Sequence, residues 1–140
     1  MSGMKNEVLK CIYTRRSVRN YKNIPVPKDV VDELLNAAVM APSARNTQPW
    51  LFSIVEGQEK IGELGERALV WYNKANPANA LSSAAAIFYN APLAVIISGK
   101  SGYKWLKDDV NLAVQNMFLA AQSLGLGSCW IGRAIGLNND

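Results

Sequence analysis

The segment APSARNTQPW, residues 41–50, follows an amphipathic helical pattern and leads directly into an apolar segment with strand character. Pro42 and Pro49 fix φ and lack backbone N–H donors, so the helix ends before this segment and the sheet begins after it. The Ser, Arg, Asn and Gln side chains between the prolines need partners outside regular secondary structure. A connection of this kind between a helix and a strand is a common place for a ligand to bind.

Two amide side chains in this segment are suited to a flat heterocycle. Asn46 and Gln48 each carry one carbonyl acceptor and two N–H donors. The polar edge of a flavin or a pyrimidine, which alternates acceptors and N–H groups, is complementary to such amides. Trp50 and Trp130 each follow a turn, and either could stack on a ring or fill the core.

A basic cluster lies near the N-terminus. Arg15, Arg16 and Arg19, together with the hydroxyl of Ser17, fall within five positions. The planar guanidinium pairs with two phosphate oxygens at once, and a hydroxyl or backbone N–H can take a third oxygen. The cluster therefore indicates a phosphate site, with a solvated basic surface as the alternative.

Composition limits the class of protein. The 140 residues are 49% hydrophobic and 19% charged, which predicts one soluble globular domain. The net charge of +4 favours anionic ligands or partners without choosing between a nucleotide and a nucleic acid. Cys11 and Cys129 form neither a disulfide framework nor a zinc motif, so a reducing cytoplasm is expected. No apolar window approaches the length of a membrane span.

The chain contains no histidine. This excludes Ser-His-Asp and Cys-His catalysis and most zinc catalysis, and we expect no metal site. If the protein is an enzyme, a bound cofactor is the natural source of reactivity, since the protein then supplies placement and electrostatics.

The spacing of apolar residues predicts helices and strands in one α+β domain. Helices are predicted from Asn6 to Thr14, Pro27 to Val39, Gln58 to Trp71 and Asp109 to Leu124, and strands from Leu51 to Val55 and Leu93 to Ser98. The stretch from Asn73 to Ser83 is predicted to be a mobile loop or a lid. Residues 128–132 are predicted to be a short strand or an extended loop.

Two of these elements are predicted to be buried. The run LAVIIS, from Leu93 to Ser98, is typical of a strand covered on both faces, which places it at the centre of the sheet. The helix from Asp109 to Leu124 is apolar nearly all round, and such a helix is buried, often against a second subunit.

Three segments together resemble the FMN-dependent nitroreductase family. They are RRSVR at residues 15–19, APSARNTQPW at 41–50 and LGLGSCWIG at 124–132, and their order agrees over almost the whole chain. The resemblance implies an α+β fold, a nitroreductase-like α/β/α sandwich with a central, mainly antiparallel sheet. It also implies an obligate homodimer with FMN in clefts at the subunit interface.

The resemblance assigns roles at the phosphate end of FMN. Arg15, Ser17 and Arg19 would hold the phosphate. Arg16 would contribute through its backbone or toward the flavin side.

The resemblance also assigns roles at the flavin ring. Asn46 and Gln48 would bind the polar edge of the ring or the ribityl chain, while Pro42 and Ser43 from the other subunit would line the ring. A third group would pass close to the central ring, where a backbone N–H can address N5: Trp130, Ile131 and Gly132.

The implied activity is that of an NAD(P)H-dependent FMN oxidoreductase working by a ping-pong mechanism. NADH or NADPH delivers a hydride to flavin N5 and leaves, and a nitroaromatic, quinone or related acceptor then occupies the same face. No residue is assigned as catalytic, because the flavin carries the chemistry and positive charge near the ring stabilises its reduced form.

Two alternatives stay open. One is a protein that binds flavin for storage, degradation or sensing without reductase turnover. The other is a basic nucleic-acid-binding module in which the arginines contact phosphates, although the paired amides in a turn do not favour it. The resemblance implies a further helix and a basic C-terminal strand after Asp140, so residues 1–140 are expected to form a single domain that is C-terminally truncated, with a minimal member of the family as the alternative.

Overall fold

The computed structural model describes residues 6–139, with the side chains at 135, 136, 138 and 139 left out of the description. Within this range the elements include every helix and strand that the sequence predicts, in the predicted order and with ends that differ by a few residues, together with a short helix at 85–88 and three 3₁₀ segments that it does not predict. They are the α-helices α1 (Glu7–Thr14), α2 (Lys28–Val39), α3 (Gln58–Ala75), α4 (Ala85–Phe88) and α5 (Leu106–Ser123), the strands β1 (Trp50–Glu56) and β2 (Leu93–Gly99), and 3₁₀ segments at Ala44–Asn46, Pro77–Asn79 and Gly132–Asn139.

The two strands pair in an antiparallel sheet, as predicted. The amide of Gly57, just after β1, donates to the carbonyl of Pro92, just before β2, at 3.1 Å. The prediction that β2 lies at the sheet's centre is wrong for the described chain, where β1 is its neighbour on one side and six of its seven residues are only half-buried. An apolar run shows that side chains avoid water, but it does not specify the surface that covers them.

The described chain forms two compact units that alternate along the sequence. Unit 1 contains the chain up to Ser17, Pro27–Ser53 and Ile96–Ser128; unit 2 contains Val18–Val26, Ile54–Val95 and the chain from Cys129. The single domain expected from the sequence stays a prediction.

Helices α2 and α5 pack together in unit 1. The buried apolar residues of both helices recur at helical spacing: Val31, Leu34 and Ala38 on α2, and Ala113, Met117 and Ala121 on α5. The small alanines allow a close approach. The side-chain amide of Asn116 donates to the carbonyl of Ala37 at 3.1 Å across this contact.

Within the described chain one face of α5 is buried, while Leu112 on another face is 45% exposed. The predicted burial of the whole helix, often against a second subunit, stays a prediction. An all-apolar helix predicts burial in the assembled protein, whereas the surfaces described here are those of one chain.

Unit 2 has its own hydrophobic core, formed by Ile61, Ala68, Ile87 and Phe88. Helix α3 contributes the first two of these residues and α4 the last two. The 3₁₀ segment Gly132–Asn139 packs against α3 and brings partly buried apolar side chains to this core.

The predicted loop from Asn73 to Ser83 is more ordered than expected. Helix α3 continues to Ala75, and a 3₁₀ turn follows at Pro77–Asn79. The side chain of Asn73 closes the loop, because its oxygen accepts from the amide of Leu81 at 2.8 Å and its NH₂ donates to the carbonyl of Leu81 at 3.0 Å. Over the part of the chain described, no helix has the length and apolar character needed to cross a bilayer.

Gly99→Ala tests the close approach at the end of β2. A Cβ at this position would lie 2.5 Å from the carbonyl oxygen of Pro49 and would overlap the side chain of Leu106. We expect the substitution to lower the free energy of unfolding by about 1–3 kcal/mol, measured by chemical denaturation.

Gly62→Ala is the matched control for this prediction. Gly62 lies in α3 with nothing within 4 Å of an added Cβ. Alanine there should raise stability by about 0.5–1 kcal/mol, since it costs less backbone entropy in a helix than glycine. Equal effects of the two substitutions would contradict the steric explanation.

Candidate functional site

The arginine cluster begins where α1 ends. The side chain of Asn6 caps the helix by accepting from the amide of Leu9 at 3.1 Å. At the other end the amide of Arg15 donates to the carbonyl of Cys11 at 2.9 Å, after which the backbone turns extended. Ser17 then pairs with Ser128 in an isolated parallel bridge. The structure therefore brings together two segments that the sequence separates by more than a hundred residues.

The three arginines of the cluster differ in how far they are engaged. The guanidinium of Arg15 lies 5.6 Å from the ring centroid of Phe118 on α5, and neither Arg15 nor Arg19 forms an ion pair within residues 6–139. Arg16 folds back on the helix end, where its Nη1 donates to the carbonyls of Tyr13 and Arg15, both at 2.8 Å. Arg15 and Arg19 thus keep their full hydrogen-bonding capacity for a ligand, and Arg16 keeps part of it.

A buried hydroxyl lies beside this cluster. The Oγ of Ser128 is shielded from solvent and has no hydrogen-bond partner in the described chain. Buried polar atoms are nearly always satisfied, so an orphaned hydroxyl indicates a missing partner such as a ligand atom or a water. Because Ser17 is bridged to Ser128, this hydroxyl belongs to the same local site as the start of the cluster.

The segment 41–50 has an unusual backbone. Arg45, Asn46 and Gln48 have φ angles of 55°, 54° and 47°, so three of four consecutive residues are left-handed without being glycine. Such residues each cost about 1–3 kcal/mol and persist only where surrounding contacts impose them. They cluster at functional sites, which supports a binding role for this loop.

Several hydrogen bonds hold the loop in this shape. The amide of Gln48 donates to Ser43 Oγ at 2.9 Å, and the amide of Ala44 donates to Asp109 Oδ1 at 3.0 Å. Tyr103 Oη lies 3.1 Å from Asp109 Oδ2 and 2.7 Å from Thr47 Oγ1. Asp109 and Tyr103 were not identified from the sequence, because no local motif links them to a loop more than fifty residues away.

The predicted ligand-binding side chains of this loop are available. Asn46 and Gln48 are exposed, and their side-chain amides have no hydrogen-bond partner within residues 6–139. Pro42 is exposed as well. Ser43 is half-buried and already accepts a hydrogen bond inside the loop. Trp50 is buried at 8% exposure beside Phe52, so it serves the core.

The segment after Ser128 differs from its predicted form. The extended stretch ends at Ile131, and a 3₁₀ helix, which the sequence did not predict, begins at Gly132. Ile131 packs on the core of unit 2. Trp130 is 55% exposed, so of the two tryptophans that were candidates for stacking on a ring, Trp50 and Trp130, it is the accessible one.

Arg133 anchors this segment and was missed by the sequence analysis. Its Nη1 donates to the carbonyl of Ala86 at 2.8 Å, and its guanidinium lies 5.9 Å and 5.8 Å from the ring centroids of Tyr72 and Tyr89. The one signal in the sequence that could have identified Arg133 is its position directly after Gly132.

Asn73 was assigned no role from the sequence. Its side-chain amide is bonded to the backbone of Leu81 inside the loop that it closes.

The predicted residues are divided between the two units. Unit 1 carries Arg15, Arg16, Ser17, Pro42, Ser43, Asn46 and Gln48, and unit 2 carries Arg19, Trp130, Ile131 and Gly132. Helix α5 contacts both α1 and α2 within unit 1. In the described residues no group of three or more Cys, Asp or Glu side chains could hold a metal ion.

The fold and the site define a mixed α/β protein with a basic, phosphate-compatible segment and a strained amide-bearing loop. The model of the nitroreductase family matches residues 12–134, so the chain belongs to the nitroreductase family.

Named relatives agree with this assignment. The chain is 35% identical over 133 residues to a protein of Methanothermobacter thermautotrophicus provisionally named NADH dehydrogenase/NAD(P)H nitroreductase, covering 91% of this chain and 62% of that relative. The chain therefore spans somewhat less than two thirds of that relative's length.

Solved structures give the same result. A nitroreductase with bound FMN from Bacteroides fragilis superposes with a TM-score of 0.87 at 37% identity, over 97% of this chain and 74% of that one. An FMN-dependent nitroreductase from Clostridium difficile superposes with a TM-score of 0.84 at 32% identity, over 92% of this chain and 62% of that one.

Tyr21 supports the turn that follows the arginine cluster. Its hydroxyl donates to the carbonyl of Val18 at 2.7 Å. Burial raises the pKa of Tyr21 from 10.0 to about 12; nearby Cys129 adds to the rise, and Arg19 opposes it. Because the pKa is raised in the folded state, the neutral phenol stabilises the fold below pH 10, and this contribution is lost as the pH rises toward 12.

Tyr21→Phe tests this assignment. At neutral pH we expect a loss of about 1 kcal/mol of unfolding free energy, since the hydrogen bond to Val18 is removed. Above pH 10 the variant should lose less further stability than the wild type, because it has no phenol to ionise. Parallel stability profiles for the two proteins between pH 10 and 12, followed by chemical denaturation, would show that Tyr21 is not the responsible group.

Proposed function

We propose that the chain is an FMN-dependent oxidoreductase that uses NADH or NADPH to reduce nitroaromatic, quinone or related acceptors by a ping-pong mechanism. One observation carries the proposal: in a member of the nitroreductase family, two unpaired side-chain amides lie on a loop whose backbone is held left-handed. The FMN reported in the Bacteroides fragilis relative is a ligand that such a loop can bind.

The arginine cluster fits the phosphate end of FMN. Arg15 and Arg19 have no carboxylate partner in the described chain, so their charge is not neutralised by the protein itself. A guanidinium and a phosphate form strong, charge-assisted hydrogen bonds. The unpartnered Ser128 hydroxyl beside Ser17 adds a donor of the kind that a phosphate or ribityl oxygen accepts. Arg16 would contribute with the part of its guanidinium that the end of α1 does not use.

The loop after α2 fits the ring end. Asn46 and Gln48 present both donors and acceptors without partners in the described chain, as the edge of an isoalloxazine requires. In the second subunit's loop, Pro42 would offer an exposed apolar surface, and Ser43, whose Oγ accepts from the amide of Gln48, would keep its O–H as a donor. Trp130, Ile131 and Gly132 would complete the ring site, with backbone amides directed to the central ring.

When bound, FMN supplies N5, the atom that accepts a hydride from the nicotinamide and passes the electrons to the acceptor. The chain's own residues bind and orient the cofactor and supply positive charge. Arginine keeps its charge at all physiological pH values, so the site needs no titrating protein group. The absence of histidine from the sequence is compatible with this division of labour.

We also propose a homodimer with FMN at the interface and the second subunit supplying Pro42 and Ser43. Helix α1 supports this proposal, because it buries none of its residues in the described chain. Its large apolar side chains are exposed, with Val8 at 63%, Tyr13 at 52% and Ile12 at 45%. The cytoplasmic location expected from the cysteine content stays a prediction.

The reductase proposal is tested by purifying the chain with added FMN, removing free ligand and adding NADH or NADPH without oxygen. We expect retained yellow colour that bleaches with the nicotinamide and returns when a nitroaromatic or quinone is added. Retained colour without bleaching would instead support a storage or sensing protein. Sedimentation of the loaded sample as a monomer would contradict the dimer, and salt-sensitive oligonucleotide binding without flavin would favour the nucleic-acid alternative.

Arg15→Ala tests the phosphate role. We expect FMN affinity to fall by about tenfold or more, while riboflavin, which lacks the phosphate, binds nearly as before. Lys60→Ala is the charge-matched control, since Lys60 is an exposed residue of α3. Fluorescence titration measures both ligands; equal losses for FMN and riboflavin would show that Arg15 does not act on the phosphate.

A further inference from the structure

We propose that Asp109 and Tyr103 are positioning residues that hold the loop Ser43–Gln48 in its ligand-reading shape. The inference rests on the proposed FMN function and adds two residues that lie outside the three segments typical of the family. Both act through the loop backbone and Thr47, so neither is assigned a contact with the cofactor.

Asp109 is a buried carboxylate with its oxygens directed at the loop and at Tyr103. It is 3% exposed and forms no ion pair in the described chain. Burying a carboxylate is costly unless it is hydrogen-bonded, and here Oδ1 accepts from the amide of Ala44 at 3.0 Å while Oδ2 accepts from Tyr103 at 3.1 Å. Its place in the first turn of α5 further offsets the cost through the helix dipole.

Tyr103 extends this contact to the far side of the loop. Its Oη lies 2.7 Å from Thr47 Oγ1 and 3.4 Å from the carbonyl of Ala44. Ala44 precedes the left-handed pair Arg45 and Asn46, and Thr47 follows it. The contact of Asp109 with the amide of Ala44 and the contact of Tyr103 with Thr47 Oγ1 therefore lie on either side of Arg45 and Asn46.

The bracketing explains how the strain persists. A left-handed conformation at a non-glycine residue relaxes unless neighbouring contacts over-determine the backbone. The amide of Ala44 and the hydroxyl of Thr47 supply such contacts to the first two strained residues, and Ser43 Oγ supplies one to Gln48. If the Asp109–Tyr103 pair is lost, the loop backbone should relax, and the side chains of Asn46 and Gln48 should no longer be held in one orientation.

A merely structural role for Asp109 is the competing explanation, and Asn116→Ala is the control for it. Asn116 also lies on α5 and bonds the backbone near the end of α2, through the carbonyl of Ala37, without contacting the loop. The substitution removes one hydrogen bond between α5 and α2. It should lower thermal stability about as much as the Asp109 substitutions do and leave the FMN affinity unchanged.

The test compares Tyr103→Phe, Asp109→Ala and Asp109→Asn with the wild type and Asn116→Ala. Three quantities are measured: the hydrogen-exchange rate of the Ala44 amide in flavin-free protein, the FMN affinity, and the shape of the bound flavin's visible absorption band. Tyr103→Phe removes only a hydroxyl, so it remains informative if Asp109→Ala fails to fold.

We expect Asp109→Ala to accelerate exchange of the Ala44 amide by about tenfold or more, and Asp109→Ala and Tyr103→Phe to weaken FMN binding by about tenfold and to alter the flavin band. Asp109→Asn should retain most of the protection of the Ala44 amide and most of the FMN affinity. Its side-chain oxygen can still accept from Ala44 while its NH₂ donates to Tyr103 Oη. Rescue by asparagine would show that hydrogen-bond geometry, rather than charge, positions the loop.

Unchanged FMN affinity and an unchanged flavin band in Tyr103→Phe and Asp109→Ala would overturn the inference, as would an equal loss in Asn116→Ala. If the wild type itself binds no FMN, the proposed function fails, and with it the ligand half of the inference. The exchange rates then decide separately whether Asp109 fixes the loop.

Discussion

The close contact between α2 and α5 is the constraint from which the rest of unit 1 takes its position. Ala38 and Ala113 are completely buried in the core to which the two helices contribute, so larger side chains would force the helices apart. The bond from Asn116 to Ala37 places the last turn of α2 beside the middle of α5, and the bond from Ala44 to Asp109 places the loop after α2 beside the first turn of α5.

The same helix also contacts the segment at the end of α1 that carries Arg15. Phe118, farther along α5, packs under the guanidinium of Arg15, and Gln122 donates to Thr14 at the end of α1. The chain leaving α5 then reaches Ser128, which pairs with Ser17. Helix α5 thus contacts the loop that carries Asn46 and Gln48 at its first turn, and Arg15 and Thr14 toward its end. One rigid helix can keep two such segments in fixed positions.

Some polar groups of the candidate site have hydrogen-bond partners inside the protein, whereas others have none in the described chain. The first kind holds the segments in shape, and the second kind is available to a ligand. Ser43 Oγ, the carboxylate of Asp109 and one amino group of Arg16 are used inside the protein. The side-chain amides of Asn46 and Gln48 have no hydrogen-bond partner within residues 6–139. Unused polar capacity on a backbone held under strain is an arrangement that a ligand stabilises, because binding satisfies groups that the fold has already oriented.

The sequence by itself determined most of the elements and the family, and it predicted the residues able to bind a ligand. Apolar spacing, proline positions and Asn6 as a cap act over a few residues, so the limits of α1, α2 and β1 could be read locally. The partner that each side chain meets in the folded protein could not be read locally. Only the tertiary structure decided four features: the burial of one face of α5, the half-buried state of β2, the contact of Asp109 with Ala44 and the anchoring of Arg133. These contacts join residues far apart in the chain, and no local pattern encodes which distant group will meet a given donor or acceptor.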